Sequence, residues 1–205
     1  DNDEGPNTGG MGAYTPLPLV TAEDEAFARK YVLEAVAKGM CQEGLPLTGV
    51  LYGGLMKTAN GIKVIEFNAR FGDPETEVVL PLLESDAYNV FYGIATGANR
   101  QSPIANSPLQ WRNEATIGVV LASKGYPGSY AKGAVIEGVE LFDGPVFHMG
   151  TKNDNGVLKT NGGRVMMCIA TGKNIAEAQA KVYKEIEKIH CDNLFYRKDI
   201  AHWAL

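Results

Sequence analysis

Long apolar runs are missing from this sequence, and none approaches the roughly 20 residues that a membrane-spanning helix needs. An excess of basic charge is also missing: the formal net charge is -5, and the lysines and arginines are scattered, with no basic run longer than the pairs Arg29-Lys30 and Arg197-Lys198. This distribution argues against a protein that binds the nucleic-acid backbone. The first residues, DNDEGPNTGG, have the features of neither a signal peptide nor a transit peptide. We therefore expect neither a membrane nor a nucleic acid as partner.

Cysteine and histidine are scarce. The cysteines Cys41, Cys168 and Cys191 form no C-x-x-C pair, and an odd number of them favours reduced thiols in a cytoplasmic protein over a disulfide framework. The three histidines are dispersed and form no metal-binding spacing such as H-E-x-x-H.

What is present is a composition typical of a packed protein, with 45% hydrophobic residues in 205. The first residues include no Met and no strand pattern, so we expect a fragment of a longer protein. A polar segment with two prolines, residues 98–113, separates the first half from a second half made of short runs rich in Val and Ile. We predict an α+β chain with one domain at 1–100, a linker at 101–113 and a β-rich domain at 114–205.

The first half is predicted to mix helices with one hairpin. Thr21 is a candidate N-cap for a helix that ends before Gly39. Strands follow at about 48–57 and 62–69, with Asn60-Gly61 as the turn. Asp73 is a candidate N-cap for a short helix at about 74–84, and Ser85 caps a further helix at about 86–96.

The second half is predicted to be a meander of short strands closed by one helix. The strands are TIGVVLAS, AVIEGVEL, PVFHMGT, GVLKT and GRVMMCIAT, with Asn155-Gly156 as one turn. Asn174 and Glu177 resemble a capping box for the last helix.

The segment KVIEFNARFGDPETEVVLPLL, residues 63–83, combines apolar residues with an unusual density of charge. On a strand spanning 62–71, alternation places Ile65, Phe67 and Phe71 on the core face. Glu66, Asn68 and Arg70 then share the other face, roughly 7 Å apart. A carboxylate and an amide oxygen at that spacing can share one Mg²⁺, and a guanidinium beside them suits phosphate oxygens.

Two simpler interpretations of these residues stay open. Glu66 and Arg70 could form an ion pair on a solvated sheet surface. Asp73 could act only as a helix cap, with Glu75 and Glu77 as first-turn acids that favour the helix dipole. The opening loop GPNTGGMGAY can approach an anion closely, but a tight structural turn explains its glycines equally well.

The chain resembles a known family from end to end. The motifs occur in the order GPNTGGMGAYTP, LYGGLMKT, EFNARFGDPETEVVLPLLESD, SKGYPGSY, FHMGT, TNGGRVM and YRKDI. Together they are similar to the C-terminal half of the glycinamide ribonucleotide synthetases, also called phosphoribosylamine–glycine ligases. RFGDPE is specific to that family, whereas E-x-N on a strand is common to ATP-grasp enzymes generally.

The resemblance implies an ATP-grasp fold with an antiparallel sheet and helices, followed by a small β-rich domain with a terminal helix. It implies the ATP-dependent joining of glycine to 5-phosphoribosylamine through a glycyl phosphate. Glu66 and Asn68 would then hold Mg²⁺ or Mn²⁺ on the ATP phosphates, and Arg70 would stabilise the transferring phosphoryl group. The substrate pocket would be formed by two segments, the turn Gly72, Asp73, Pro74 and the loop Asn7, Thr8, Gly9, Gly10.

Two departures from the family pattern matter. The strand GVLYGGLMKT carries no second acidic ligand, which leaves one or two metal ions open. The N-terminal half of the enzyme, which supplies the adenine pocket and the loop over the phosphates, does not precede Asp1, so we expect the chain alone to be inactive. The alternatives are a carboxylate–amine ligase with other substrates and a non-catalytic binding or assembly module that kept the fold.

Overall fold

The structure, a computed structural model, describes residues 1–97 and 109–205. The chain divides into two compact units that do not follow the order of the chain. The larger unit combines Asp1–Pro16, Asp73–Leu82 and Asn113–Leu205, and the smaller one combines Leu17–Gly72 with Leu83–Arg112. The domain limits 1–100, 101–113 and 114–205 stay a prediction, and residues 101–108 of the predicted linker lie outside the described residues.

An antiparallel sheet forms the centre of the larger unit. Its strands are β1 (Gly12–Thr15), β4 (Ala115–Ser123), β8 (Arg164–Gly172) and β5 (Val146–His148), in that spatial order, and β9 (Leu194–Phe195) also pairs with β4. Every residue of β4 is buried, as the uninterrupted apolar run predicts for a strand covered on both faces.

Helices cover the two faces of this sheet. Helix α5 (Ile175–Ile186) buries Ile175, Ala178, Val182 and Ile186 against one face. The short helix α3 (Thr76–Val79) places Val78 against Val120, Met167 and Ile169 on the other. A Cβ on Gly118 would lie 2.0 Å from the Met167 Cε and 3.0 Å from Val78, so the absence of a side chain there gives these residues their space. The position of α3 is therefore fixed by the core.

The predicted meander is only partly correct. The segment AVIEGVEL forms isolated bridges at Val135 and Glu137 and a 3-10 turn instead of a strand. Strands β6 (Thr151–Asp154) and β7 (Val157–Thr160) form a separate hairpin. Its turn is Asn155-Gly156, as predicted, and both residues have the positive φ that this turn requires.

The smaller unit begins with a helical stretch of three parts: α1 (Ala22–Phe27), a π-helical segment (Ala28–Leu33) and α2 (Glu34–Gln42). Thr21 is the N-cap, and it exchanges hydrogen bonds with Asp24 in a capping box. Gly39 lies inside α2, so the predicted end of the helix is wrong by one turn.

A hairpin of β2 (Tyr52–Thr58) and β3 (Gly61–Asn68) follows. Its turn residues are Ala59 and Asn60, and Gly61 supplies the positive φ, one position later than predicted. The register shifts between Gly54, which pairs with Glu66, and Leu55, which pairs with Val64. This β-bulge leaves Ile65 without a partner and interrupts the regular alternation of faces.

The predicted burial of Ile65, Phe67 and Phe71 is wrong for this chain: their exposed fractions are 63%, 40% and 40%. The bulge at Ile65 and the end of β3 at Asn68 concern two of these residues: neither Ile65 nor Phe71 keeps the position that an unbroken strand over 62–71 gives it, whereas Phe67 pairs regularly with Gly53. Phe71 packs edge-on against Phe91, at a ring distance of 5.8 Å.

Helix α4 (Ala87–Thr96) has Asp86 as its N-cap, one residue after the predicted Ser85, and it ends at Gly97 with φ 67°. Together these elements confirm the predicted α+β class with antiparallel sheets. Within residues 1–97 and 109–205, no helix is both long and apolar enough to cross a membrane.

Candidate active site

Glu66 and Asn68 lie side by side near the end of β3. The Asn68 Nδ2 donates a hydrogen bond to the Glu66 Oε1 at 3.0 Å, so the two side chains are in contact. The residue opposite Glu66 is Gly54, where a Cβ would lie 3.1 Å from the Glu66 Cγ. The glycine therefore leaves room for the carboxylate above the hairpin.

The donor set of this pair fits a hard cation. Turning the Asn68 amide by half a turn would present its oxygen beside the Glu66 carboxylate, and two such oxygens are ligands that Mg²⁺ and Mn²⁺ accept. Among the described residues, no three His, Cys, Asp or Glu side chains come close enough to hold a metal. A metal at this pair therefore needs phosphate oxygens or water to complete its shell.

Arg70 lies beyond the end of β3, in a bend, and not on the strand. Its Nη1 donates to the carbonyl oxygen of Phe71 at 2.8 Å. Arg70 and Glu66, both among the described residues, do not form the ion pair that was the alternative interpretation. Arg70 is exposed, so its guanidinium is accessible to a ligand.

The other predicted site residues gather in the larger unit around Arg164. The Arg164 Nη1 donates to the carbonyl oxygen of Gly9 at 2.9 Å and to the Asp73 Oδ1 at 2.8 Å. Asn7, Thr8, Gly9 and Gly10 therefore lie in a loop that is tied, through Arg164, to the turn containing Asp73 and Pro74. Glu66, Asn68, Arg70 and Gly72 belong to the smaller unit.

Asp73 is not the cap that the sequence predicts. Helix α3 begins at Thr76, and its N-cap position is Glu75, which makes no side-chain capping bond. The Asp73 carboxylate pairs with Arg164 instead. The Asp73 side chain is therefore used in an ion pair, and the helix begins three residues after it.

Glu77 is the other carboxyl group of this region, in the first turn of α3. Burial raises the pKa of its carboxyl group, and the nearby Asp73 acts in the same direction. The Glu77 Oε2 is buried and has no hydrogen-bond partner among the described residues. The prediction that Glu77 serves only the helix dipole does not account for this buried oxygen.

The loop also borders a cavity of about 530 Å³ in the larger unit. Asn7, Thr8 and Gly10 line it, together with Tyr126 and Arg197. Arg197 is already paired with Asp3 and Asp199. Three of the four predicted loop residues thus face open space of a size that a small ligand can fill.

Arg164 and Tyr126 are the residues at this site to which the sequence assigned no role. Arg164 is 155 positions from the loop carbonyl that it binds. The Tyr126 hydroxyl accepts the N–H of Gly9 at 3.0 Å. No local pattern reports a contact over that separation, and the flanking glycines in TNGGRVM and GYPGSY indicated only turns.

Similarity to solved structures places the fold in a wide class. The chain superimposes on the urea amidolyase of K. lactis with a TM-score of 0.62 at 15% identity over 93% of this chain and 11% of that chain, which shows the fold alone. Residues 1–76 match the family model described as phosphoribosylglycinamide synthetase, ATP-grasp (A) domain. The chain therefore contains part of an ATP-grasp domain.

The particular family follows from the rest of the chain. Residues 116–203 match the C domain of the same synthetase. Phosphoribosylamine–glycine ligases from Halalkalibacterium halodurans and Pseudomonas aeruginosa are 51% and 46% identical over 100% of this chain. The crystal structure of the Thermotoga maritima ligase matches with a TM-score of 0.84 at 36% identity, over 97% of this chain and 48% of that one. The chain belongs to the phosphoribosylglycinamide synthetase family.

The chain spans about half the length of the curated relatives it matches: 47% of the Halalkalibacterium ligase and 48% of the Pseudomonas one.

Proposed function

We propose that this chain is the C-terminal half of a phosphoribosylamine–glycine ligase, which joins glycine to 5-phosphoribosylamine and splits ATP to ADP and phosphate. The observation that carries the proposal is the Glu66–Asn68 pair on β3, in a chain that curated ligases match from end to end. The missing N-terminal half of the same enzyme would supply the rest of the nucleotide site. Reduced thiols and the biosynthetic reaction together suit the cytoplasm.

The reaction proceeds in two steps, phosphoryl transfer and amide formation. A carboxylate oxygen of glycine attacks the γ-phosphorus of ATP, the bond to the bridging oxygen breaks, and ADP leaves with that electron pair. The amine of 5-phosphoribosylamine then attacks the carbonyl carbon of the glycyl phosphate. Phosphate leaves, the nitrogen loses a proton, and an amide remains.

Each step brings anions together, so fixed positive charge lowers the barrier. The exposed Arg70 guanidinium can bind the oxygens of the transferring phosphoryl group in two-point contacts. The loop Asn7–Gly10 and the turn Gly72, Asp73, Pro74 would hold glycine and 5-phosphoribosylamine. Exclusion of water from this pocket would protect the acyl phosphate from hydrolysis.

Glu66 and Asn68 would hold a divalent cation, Mg²⁺ or Mn²⁺, against the ATP phosphates. When bound, the cation supplies positive charge that neutralises the phosphate oxygens and orients them for transfer. The Glu66 carboxylate and the Asn68 amide offer protein ligands for one ion, and a second ion would depend on phosphates, water or residues of the N-terminal half.

The experiment is an assay of ADP and phosphate release by the full-length protein that carries this chain. We expect release only when ATP, a divalent cation, glycine and 5-phosphoribosylamine are all present, with the amide product detected by mass spectrometry. Residues 1–205 alone should release no ADP under the same conditions. Turnover with another amine or another carboxylate, in place of glycine or 5-phosphoribosylamine, would assign the protein to a different ligase. Absence of turnover with every amine, together with retained nucleotide binding, would indicate a binding module.

A further inference from the structure

Arg164 joins two segments that are far apart in the sequence. Its Nη1 donates to the Gly9 carbonyl oxygen at 2.9 Å, to the Asp73 Oδ1 at 2.8 Å and to the Asp73 carbonyl oxygen at 3.2 Å. Only 19% of the Arg164 side chain is exposed. Hydrogen bonds from a charged donor are stronger than those from a neutral one, so this contact can fix both segments.

Tyr126 provides the second attachment of the same loop. Its hydroxyl oxygen accepts the Gly9 N–H at 3.0 Å, so the N–H and the carbonyl of one residue are both held by side chains. A Cβ on Gly163 would lie 2.4 Å from the Tyr126 ring, and a Cβ on Gly9 would lie 3.2 Å from its hydroxyl. Glycine at both positions therefore allows the ring and the loop to approach each other.

The loop and the turn also touch directly. Gly10 has a φ of 102°, and a Cβ there would lie 2.6 Å from the Pro74 Cδ. The contact between loop and turn thus depends on glycine as well as on Arg164.

The side chains that hold the loop stand on a rigid support. Arg164 is the first residue of β8 and pairs with Ala122 of β4. The Ser123 N–H and hydroxyl donate to the carbonyl oxygens of Gly163 and Gly162, both at 2.8 Å. Since the buried central strands move least in such a unit, the backbone from which the Arg164 side chain extends is held in place.

Asp73 keeps one carboxylate oxygen for a ligand. Arg164 binds the Oδ1, and 49% of the Asp73 side chain remains exposed. A carboxylate oriented in this way can accept a hydrogen bond from an amino group, and both proposed substrates carry one. Arg164 therefore acts most directly by holding the Asp73 carboxylate in place.

We infer that Arg164 and Tyr126 are positioning residues of the substrate pocket: they hold the loop Asn7–Gly10 and the turn Asp73-Pro74 in the arrangement that glycine and 5-phosphoribosylamine require. The inference rests on the proposed function. It gives the C-terminal domain a part in substrate binding through the contacts of Arg164 and Tyr126 with the loop and the turn.

The experiment measures steady-state kinetics of the full-length protein, with each substrate varied in turn. Arg164→Ala removes all three hydrogen bonds, and we expect the KM for glycine, for 5-phosphoribosylamine or for both to rise about 10- to 100-fold, with the KM for ATP within about twofold. Arg164→Lys keeps the charge, but its single ammonium ends a shorter, unbranched side chain and cannot reproduce the Nη1 position, so its KM should lie between those of the wild type and Arg164→Ala. Tyr126→Phe should raise the same KM about fivefold through the loss of one hydrogen bond.

Two controls separate positioning from a general loss of stability. Lys159→Met removes a cation of the same unit that pairs with Asp154 at 2.8 Å and touches neither loop nor turn, so its KM values should equal those of the wild type. Guanidinium ion at tens of millimolar should lower the raised KM of Arg164→Ala and leave Lys159→Met unchanged.

The outcomes are distinct. If Arg164→Ala and Tyr126→Phe lose turnover only in proportion to their folded fraction, with every KM unchanged, the residues are structural and the inference is overturned. If Arg164→Ala does not fold, Arg164→Lys and Tyr126→Phe decide the question by the same criterion. A wild-type protein that does not use glycine and 5-phosphoribosylamine refutes the proposed function instead, before any variant is compared.

Discussion

Glu66→Gln is the substitution that tests the proposed metal site most directly. Glu66 is exposed, and its carboxylate accepts a hydrogen bond from the Asn68 Nδ2 at 3.0 Å. Glutamine has nearly the same shape and can accept that bond. The free energy of unfolding should therefore change by no more than about 0.5 kcal/mol, as is usual for exposed positions.

The effect on turnover should be far larger than the effect on stability. Glu66 supplies the only negative charge of the pair, since Asn68 is neutral and Gly54 lies opposite on β2. Its removal lowers the charge that the pair offers to a cation from one to zero. A bound metal ion lowers the barrier to phosphoryl transfer by several kcal/mol. Since about 1.4 kcal/mol corresponds to a tenfold change in rate, we expect turnover to fall about 10²- to 10³-fold.

The assay is ADP release by the full-length protein at increasing Mg²⁺ concentration. We expect Glu66→Gln to need much more Mg²⁺ for half-maximal rate, while thermal unfolding stays at the wild-type temperature. Glu43→Gln is the matched control, because Glu43 is an exposed carboxylate of the same unit at the end of α2. Turnover of Glu66→Gln within threefold of the wild type, with an unchanged Mg²⁺ dependence, would refute the metal assignment.

Three further predictions concern stability and reactivity. Asn174→Ala removes the acceptor for the Glu177 N–H at 2.9 Å and should lower the free energy of unfolding by about 1 kcal/mol in denaturant titrations, with no change expected from Lys173→Ala at the neighbouring position. Burial raises the pKa of the Cys168 thiol to about 12, so iodoacetamide at pH 8 should label the exposed Cys41 and spare Cys168 until the protein unfolds; equal labelling rates by mass spectrometry would contradict the buried position. Arg197 holds the pKa of Asp199 far below its usual range, so the pair stabilises the fold above the unfolded pKa of about 4 and this contribution is lost as the pH falls below that value. Asp199→Asn should therefore flatten the acid side of the stability profile, and a profile identical to that of the wild type between pH 5 and 2 would show that the pair contributes nothing.

Local signals in the sequence predicted local structure well. The caps at Thr21 and Asn174 and the turn at Asn155-Gly156 occur where the sequence places them, because each depends on a hydrogen bond or a φ angle within a few residues. The Glu66–Asn68 contact is of the same kind, since the two residues are two positions apart on one strand.

The sequence failed where a distant residue competed for a side chain. Asp73 before Pro74 predicts a helix cap, and only the structure brings Arg164 within 2.8 Å of its carboxylate. The bulge at Ile65 is a second case, because the period-2 pattern of β3 contains no mark of the register shift opposite Gly54 and Leu55. Both errors arose from pairing partners that local periodicity does not encode.

The contacts of Arg164 change how the two halves of this sequence relate to the proposed reaction. The sequence alone predicts a β-rich domain at residues 114–205 and assigns it no part in the reaction. It also leaves the loop and the turn as separate motifs more than 60 positions apart. The structure ties both motifs to the first residue of β8, whose pairing with β4 is buried between α3 and α5. A long-range contact of this kind costs loop-closure entropy when the chain folds, and the buried sheet compensates that cost by holding the arginine still. Because the same guanidinium leaves an Asp73 oxygen accessible, the C-terminal domain is better described as one wall of the proposed substrate pocket than as an accessory to the ATP-grasp domain.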